Sequence, residues 1–599
     1  MVLRLLMLLA ALAGALAVPA AAAPVPDRAL RALFEREFDY ELAQYPEQAT
    51  YYGEPGHDDR LTDLSPEAIA RRKAHRAALI RELQRIDPRR LQHPQDRLSH
   101  AMMLADLQLE AQVDALYGAL PFSGLGGWLV VGPQGGPHSE MAELAKAMPA
   151  RGLRDAEHWN ARLAALPRYL EQSMALMRAG MRSGWMPPRA VMGDVGAELD
   201  AFASGAPQDS PLYLPLASIP EAVPAAQRAR VQAAGRQLIA EHVQPAYARL
   251  QRFLVDEYLP ACPEALAASA LPGGADYYAL AVRRSTTLAL APQAIHELGL
   301  AEVARIARAM DELAAQQGFA GRRAEYAAHL RADPTQYYTR GEDMLRDYRD
   351  IAKRVDAELP RLFAELPRTP YGIRAMEAYE GDKAEYYVPG AIDGSRAGIF
   401  TANTHSLATR PRYEMENTFL HEAVPGHHLQ TARAQEIAGL PRFRRTAGYT
   451  AYDEGWALYA ESLGPALGLY RDAASRFAAL SWEMARACRL VVDTGLHALG
   501  WTRAQALAYL VDNAALDPAF ARTEVDRYVA NPGQALGYKI GELKILELRR
   551  GAQAALGERF DIRRFHNAVL DDGSLPLPLL EARIAEWIAR ERAAALNAR

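Results

Sequence analysis

Leu420-His421-Glu422-Ala423-Val424-Pro425-Gly426-His427-His428-Leu429-Gln430 gathers three imidazoles and a carboxylate into eight residues, in a chain with fifteen histidines in all. Neutral imidazole is the commonest metal ligand, and catalytic zinc takes His and carboxylate ligands. A Glu directly after the first His matches the start of the H-E-x-x-H helix, in which two His bind zinc and the Glu acts as base. The second His is displaced here, because position 425 is Pro. Pro removes a helix hydrogen bond and clashes with the preceding turn, while Gly tolerates unusual dihedrals. Pro425-Gly426 is therefore expected to bulge out of the helix and put His427 in the place of the i+4 ligand. In an unbroken helix His428 would instead share a face with His421, about 10.5 Å away along the axis, a long reach for one ion. The break favours His427, with His428 as the alternative ligand or as a neighbour of the substrate.

A second stretch, Tyr452-Asp453-Glu454-Gly455-Trp456-Ala457-Leu458-Tyr459-Ala460-Glu461, supplies what the first lacks. A two-His zinc hydrolase needs a third protein ligand and keeps its fourth position for water. Glu454 lies 27 residues past His427, room for one helix to end and another to begin. Glu461, seven residues on, falls on the same helical face and is placed to accept a hydrogen bond from a ligand His. Two solvated carboxylates would explain the spacing equally, but Trp456, Ala457, Leu458 and Tyr459 give them apolar company.

His-Glu-x-x-Pro-Gly-His-His followed by Glu-Gly-Trp-Ala resembles the bacterial domain of unknown function 885 family, grouped with zinc-dependent peptidases. Glu454-Gly455-Trp456-Ala457 is more distantly similar to the Asn-Glu-Gly-Phe-Ala segment of zinc aminopeptidases, where that Glu binds the metal. Gly426-His427 resembles the Gly-His ending of the metal helix in thimet-type oligopeptidases, angiotensin-converting enzyme and carboxypeptidase Taq, which again favours His427. The resemblance runs from about residue 30 to the C-terminus and implies peptide substrates. The related peptidases stabilise the tetrahedral oxyanion with a tyrosine hydroxyl from a late segment, and Tyr538 is similar to it in placement.

Working outward, Glu385 to Pro389 and Ala397 to Asn403 are β-prone runs around the turn signal Asp393-Gly394-Ser395-Arg396, just before the His segment. They are expected to pair, either as an ordinary hairpin or as an edge whose Gly398 to Thr401 backbone receives an extended peptide. Arg396 is a candidate for a substrate carboxylate. Beyond the Glu segment, Arg489, Asp493 and His497 recur at i+4 on one helix face. They read either as a surface charge ladder or as an Asp–His pair that orients a reacting group.

Elsewhere helical periodicity and Ala/Leu/Arg/Glu richness dominate, with amphipathic helices expected at Leu30 to Leu42, Pro66 to Ile86, Asp96 to Ala115, Arg154 to Met181, Ala225 to Leu259 and Pro292 to Gln316. Met1 to about Ala23 has the charged, apolar and small-residue parts of a secretory signal. It is short for a membrane span, and no Cys follows it to carry a lipid. A net charge of −5 over 599 residues offers no clustered basic face for nucleic acid. The two cysteines, Cys262 and Cys488, do not make a disulfide scaffold, and they would pair only if the fold joined them.

These readings add up to a mainly α chain, a two-lobed helical metallopeptidase-like fold with a small β element beside the active-site helix. Its expected parts are a signal peptide (1–23), an N-terminal helical lobe (24–270) and a catalytic helical lobe (271–599). The expected activity is that of an exported, periplasmic or extracellular zinc peptidase acting on short peptides, without stable membrane insertion after signal cleavage. His421, His427 and Glu454 would hold Zn2+, Glu422 would act as general base, and Tyr538 or His428 would meet the oxyanion. The alternatives are a non-catalytic exported metal- or peptide-binding protein and a zinc amidase acting on non-peptide bonds. His/carboxylate donors also accept manganese or cobalt. The oligomeric state is not specified by any of these features.

Overall fold

The computed structural model describes residues 27–597 except 133, 134, 194, 378–380 and 382, so the signal segment expected at 1–23 lies outside the described residues. The chain is mainly helical with one three-stranded sheet. Local chemistry starts the helices where the sequence marks them. Asp27 caps Arg28–Gln44 by accepting from Leu30 N, and Ser65 caps Pro66–Gln84, with Pro66 in the first turn where a missing N–H costs nothing. The long helix expected from Ala225 to Leu259 is continuous but widens to π geometry at Ile239–Val243 and Leu254–Tyr258. Each wide turn sits just before a proline, Pro245 or Pro260. Proline brings no N–H and crowds the carbonyl behind it, and the wider turn absorbs both.

Two large apolar cores hold the helices together, and both draw residues from either side of residue 270. The first includes Trp159, Tyr247, Ile306 and Val525. The second includes Trp185, Tyr277, Phe400, Phe419, Trp456 and Ile545, and it encloses the His and Glu segments. Among the described residues no helix is long and apolar enough to cross a membrane. Cys262 and Cys488 are buried free thiols.

The sheet has the order β1-β3-β2, with β1 at Tyr371–Ala375, β2 at Tyr386–Val388 and β3 at Gly398–Ala402. The expected pairing of β2 with β3 is present and antiparallel, Tyr387 opposite Phe400. The expectation that Gly398 to Thr401 forms an open edge is corrected. β1 pairs parallel to β3 along its whole length, Tyr371 opposite Gly398 to Ala375 opposite Ala402, so β3 is the central strand and cannot take an added peptide strand.

One helix contact sets the position of the late tyrosine. Thr450–Glu461 crosses Leu536–Leu556 with Gly455 against Gly541. A Cβ built on Gly455 would lie 2.5 Å from Gly541 Cα, and one on Gly541 would lie 1.7 Å from Ala451 O. Backbone meets backbone there, which only glycine permits. The close crossing brings the helix that carries Tyr538 up to the helix that carries Glu454.

Candidate metal centre

The helix Met415–Glu422 stops directly after His421 and Glu422, and a second helix, His427–Glu436, begins at His427. Pro425 and Gly426 form the break, as their chemistry requires. A Cβ on Gly426 would lie 2.0 Å from His421 O and 2.3 Å from Leu420 O, so no other residue fits where the chain folds back over the first helix. Breaking a helix leaves carbonyls without partners. Ala423 O is taken by His428 N at 3.0 Å, and Pro425 O by the indole Nε1 of Trp456 at 2.8 Å. Glu454-Gly455-Trp456 thus does three jobs in three residues: the carboxylate enters the site, the glycine admits the neighbouring helix, and the indole fastens the broken turn.

The fold-back brings the two imidazoles onto one carboxylate. His421 Nε2 and His427 Nε2 each lie 3.4 Å from Glu454 Oε2, and the three ligand atoms all fall within 4.8 Å of one another. The rings are nearly perpendicular, 83° apart, with centroids separated by 4.8 Å. Donors about 2.0–2.1 Å from a tetrahedral zinc stand about 3.3 Å from each other, close to the spacing found here. Glu454 Oε2 is buried with no hydrogen-bond partner, a costly state that a cation between the three groups would relieve. Two neutral-capable imidazoles and a carboxylate suit Zn2+ and its borderline neighbours.

The surroundings hold His421 in one tautomer. Its Nδ1 donates to Glu461 Oε1 at 2.8 Å, so that loss of the ring's other proton frees the Nε2 lone pair for the cluster, and Arg486 donates to the same oxygen at 3.1 Å. Burial pushes the Glu461 carboxyl up, but Arg486 and His421 outweigh it and hold the group below its usual range. Burial favours a neutral His421 ring, yet Glu454 and Glu461 together raise it to about 9. His427 moves in the same direction, burial again opposing and Glu454 raising it. Glu422 stands beside these groups with its carboxyl raised, first by burial and further by Glu454, while both imidazoles oppose. Tyr538 is half-buried, and its hydroxyl is raised by burial and then by the charge of Glu454.

Other expected site residues are used differently. His428 is turned to the sheet, where its Nδ1 accepts from Tyr387 OH at 3.0 Å and its Nε2 donates to Thr369 O at 3.1 Å. Burial lowers it to about 4, and with both nitrogens taken it has no lone pair for a metal and no proton for an oxyanion. Gly398 makes room for that pair, since a Cβ there would lie 2.4 Å from Tyr387 OH and 2.8 Å from His428 Nδ1. Arg396 spends its Nη2 on the Tyr51 and Pro389 carbonyls and so ties the sheet loop to the N-terminal helices.

Asp493 and His497 are buried rather than on a surface ladder. Asp493 accepts from Tyr278 OH at 2.6 Å and from Gly533 N, and His497 accepts from Ala268 N and donates to Tyr528 O. Both are fully committed to the fold, with nothing left for a substrate. Two surface cavities of about 280 and 350 Å³, around Arg564 and Trp587 and around Arg72 and Tyr169, lie apart from the cluster.

Three partners escape a reading of the sequence: the Trp456 clamp, Arg486 behind Glu461, and Arg489 beneath Tyr538, whose guanidinium lies 4.3 Å from the ring centroid. A signal for the arginines is present. They share a face with Trp482 and Asp493 in a helix, Ala473–Ala498, that is otherwise apolar through Leu490, Val491 and Val492.

A family model described as "Bacterial protein of unknown function (DUF885)" matches residues 46–584. A solved structure described as a "putative lipoprotein" from Colwellia psychrerythraea superposes with a TM-score of 0.88 at 27% identity, over 94% of this chain and 99% of that one. Another, a "putative lipoprotein of unknown function" from Shewanella oneidensis, has a TM-score of 0.65 at 16% identity over 92% of this chain and 99% of that one, a likeness of fold alone. No curated protein matches.

Proposed function

This chain belongs to the bacterial DUF885 family, and we propose that it is an exported, zinc-dependent peptidase acting on short peptides. The observation that carries the proposal is the convergence of His421, His427 and Glu454 within 4.8 Å, with the carboxylate of Glu422 beside them. A structural metal site needs no such carboxylate, whereas hydrolysis needs a base next to the attacking water.

A Zn2+ held by His421, His427 and Glu454 would supply Lewis acidity for the scissile carbonyl and a water made acidic at neutral pH. The remaining work falls to the chain. Glu422 takes the proton of the attacking water and passes it to the leaving amine nitrogen, acting as general base and then general acid. The Tyr538 hydroxyl donates to the oxygen on which negative charge develops. Glu461, itself fixed by Arg486, keeps His421 in the tautomer that leaves Nε2 free.

Export is supported by the signal-like segment at 1–23 and by the description of the Colwellia psychrerythraea structure as a "putative lipoprotein".

Glu422→Gln tests the reading. The variant should keep its metal and lose about 10²–10⁴-fold in peptide hydrolysis. Unchanged turnover would remove Glu422 from the reaction. A wild-type protein that binds zinc but cleaves nothing in a peptide library would point to the binding-protein alternative.

A further inference from the structure

The groups around Tyr538 form a closed set of donors and acceptors. Arg489 and Arg527 share one carboxylate, Glu524, which accepts from Arg489 Nη2 at 2.8 Å and from Arg527 Nε and Nη2 at 2.9 Å each. Arg489 gives its Nε to Tyr528 OH at 3.0 Å. Its third nitrogen, Nη1, is buried and meets no oxygen. The guanidinium instead lies against the Tyr538 ring, so its remaining attraction is spent on that π face. A substrate carboxylate has no open path to a nitrogen so covered.

The hydroxyl end of Tyr538 is fixed as well. Arg527 Nη1 donates to Gln534 Oε1 at 2.6 Å. Arginine has only donors, so the amide must turn its oxygen to Arg527 and its nitrogen away. That nitrogen, Nε2, stands 3.5 Å from Tyr538 OH and donates to it. A phenol oxygen that accepts from Gln534 keeps its own proton for another acceptor. Gln534 is held in turn, since the preceding Gly533 N is anchored by buried Asp493.

We propose that Gln534 and Arg489 are positioning residues that hold Tyr538 as a hydrogen-bond donor toward the His421–His427–Glu454 cluster. The proposal rests on the peptidase reading for its catalytic consequence, though its structural half stands without it.

Gln534→Glu is the decisive variant, nearly isosteric and still able to pair with Arg527. Its second oxygen would accept the Tyr538 proton instead of donating, which turns that proton from the cluster. Tyrosine labelled with ¹³C at Cζ, with the Tyr538 resonance assigned by its loss in Tyr538→Phe, reads the hydroxyl directly in protein with or without zinc. The resonance should move in Gln534→Glu. An unmoved resonance overturns the proposal whatever the enzyme does.

In the zinc-loaded protein, Gln534→Glu and Arg489→Lys, which keeps the charge but not the flat face, should each lower kcat by about 10²-fold, the size of one lost oxyanion donor. KM and zinc affinity should hold. In a Tyr538→Phe background neither change should cost more. Losses that add to Tyr538→Phe would contradict the proposal. So would an Arg489→Lys defect confined to peptides with a free C-terminal carboxylate, which would make Arg489 a substrate contact. Absence of hydrolysis in the wild type would defeat the peptidase reading and leave the resonance experiment to decide the positioning claim.

Discussion

Gly455→Ala should damage both stability and catalysis, and the two effects have one cause. The new Cβ would stand 2.5 Å from the backbone Cα and C of Gly541, and neither atom can swing aside as a side chain would. Ordinary contact begins near 3.4 Å, so the helices Thr450–Glu461 and Leu536–Leu556 must part by about 1 Å. Overpacking of this kind costs about 3 kcal/mol at the upper end of its range. Alanine's better helix propensity returns about 1 kcal/mol, leaving a net loss of about 2 kcal/mol. The same separation carries Tyr538 away from Glu454, and a misplacement of about 1 Å can cost about 10²-fold in rate. Gly551→Ala is the control, because that glycine lies in the same second helix with nothing near its Cβ position. It should gain up to about 1 kcal/mol and leave kcat alone. Thermal midpoints and steady-state peptide hydrolysis measure both. Equal midpoints and equal rates for the two variants would refute the claim that the glycine crossing sets the distance between Tyr538 and the cluster.

The same geometry sets three further outcomes. Glu461→Gln removes the charged acceptor of His421 Nδ1 and should weaken zinc binding by about 10–100-fold in a competition titration, with the fold intact. Trp456→Phe leaves the Pro425 carbonyl buried without a donor, a loss of about 1–3 kcal/mol that a lowered thermal midpoint would register. His566, which donates to Leu362 O and accepts from Tyr459 OH, is lowered to about 3, with burial as the first cause. A depressed histidine contributes stability that is complete above its unfolded pKa near 6.5 and is lost as pH falls toward 3, at about 1.4 kcal/mol per pH unit. The thermal midpoint of His566→Gln should therefore fall less steeply than that of the wild type between pH 6.5 and 4.

The parts of the molecule legible in the sequence are those whose cause is local. Pro425 and Gly426 break a helix by their own covalent structure, and the break puts His427 beside His421. Glu461 sits seven residues from Glu454 on one helix face, and it meets His421. The features that escape depend on partners far along the chain. β1 is five residues long and pairs parallel with β3 across an intervening segment, so no neighbouring turn announces it. That pairing turns an expected edge into a central strand. The spacing of Arg489, Asp493 and His497 does mark one helix face, yet only packing reveals that the face is buried. There Arg489 meets Glu524 and Tyr528, Asp493 meets Tyr278 and Gly533, and His497 meets Ala268 and Tyr528. Trp456 reads in sequence as apolar company for Glu454, while its indole N–H serves the helix break 31 residues earlier.

At the centre of the proposed enzyme one divalent ion would stand, held by a broken helix and a distant glutamate. Anomalous scattering at the zinc edge from crystals grown with Zn2+ tests this most directly. A single peak is predicted about 2.0–2.2 Å from His421 Nε2, His427 Nε2 and Glu454 Oε2, with the His428 ring still bonded to Tyr387. A peak that engages His428 instead, or no peak between the three groups at saturating zinc, would contradict it.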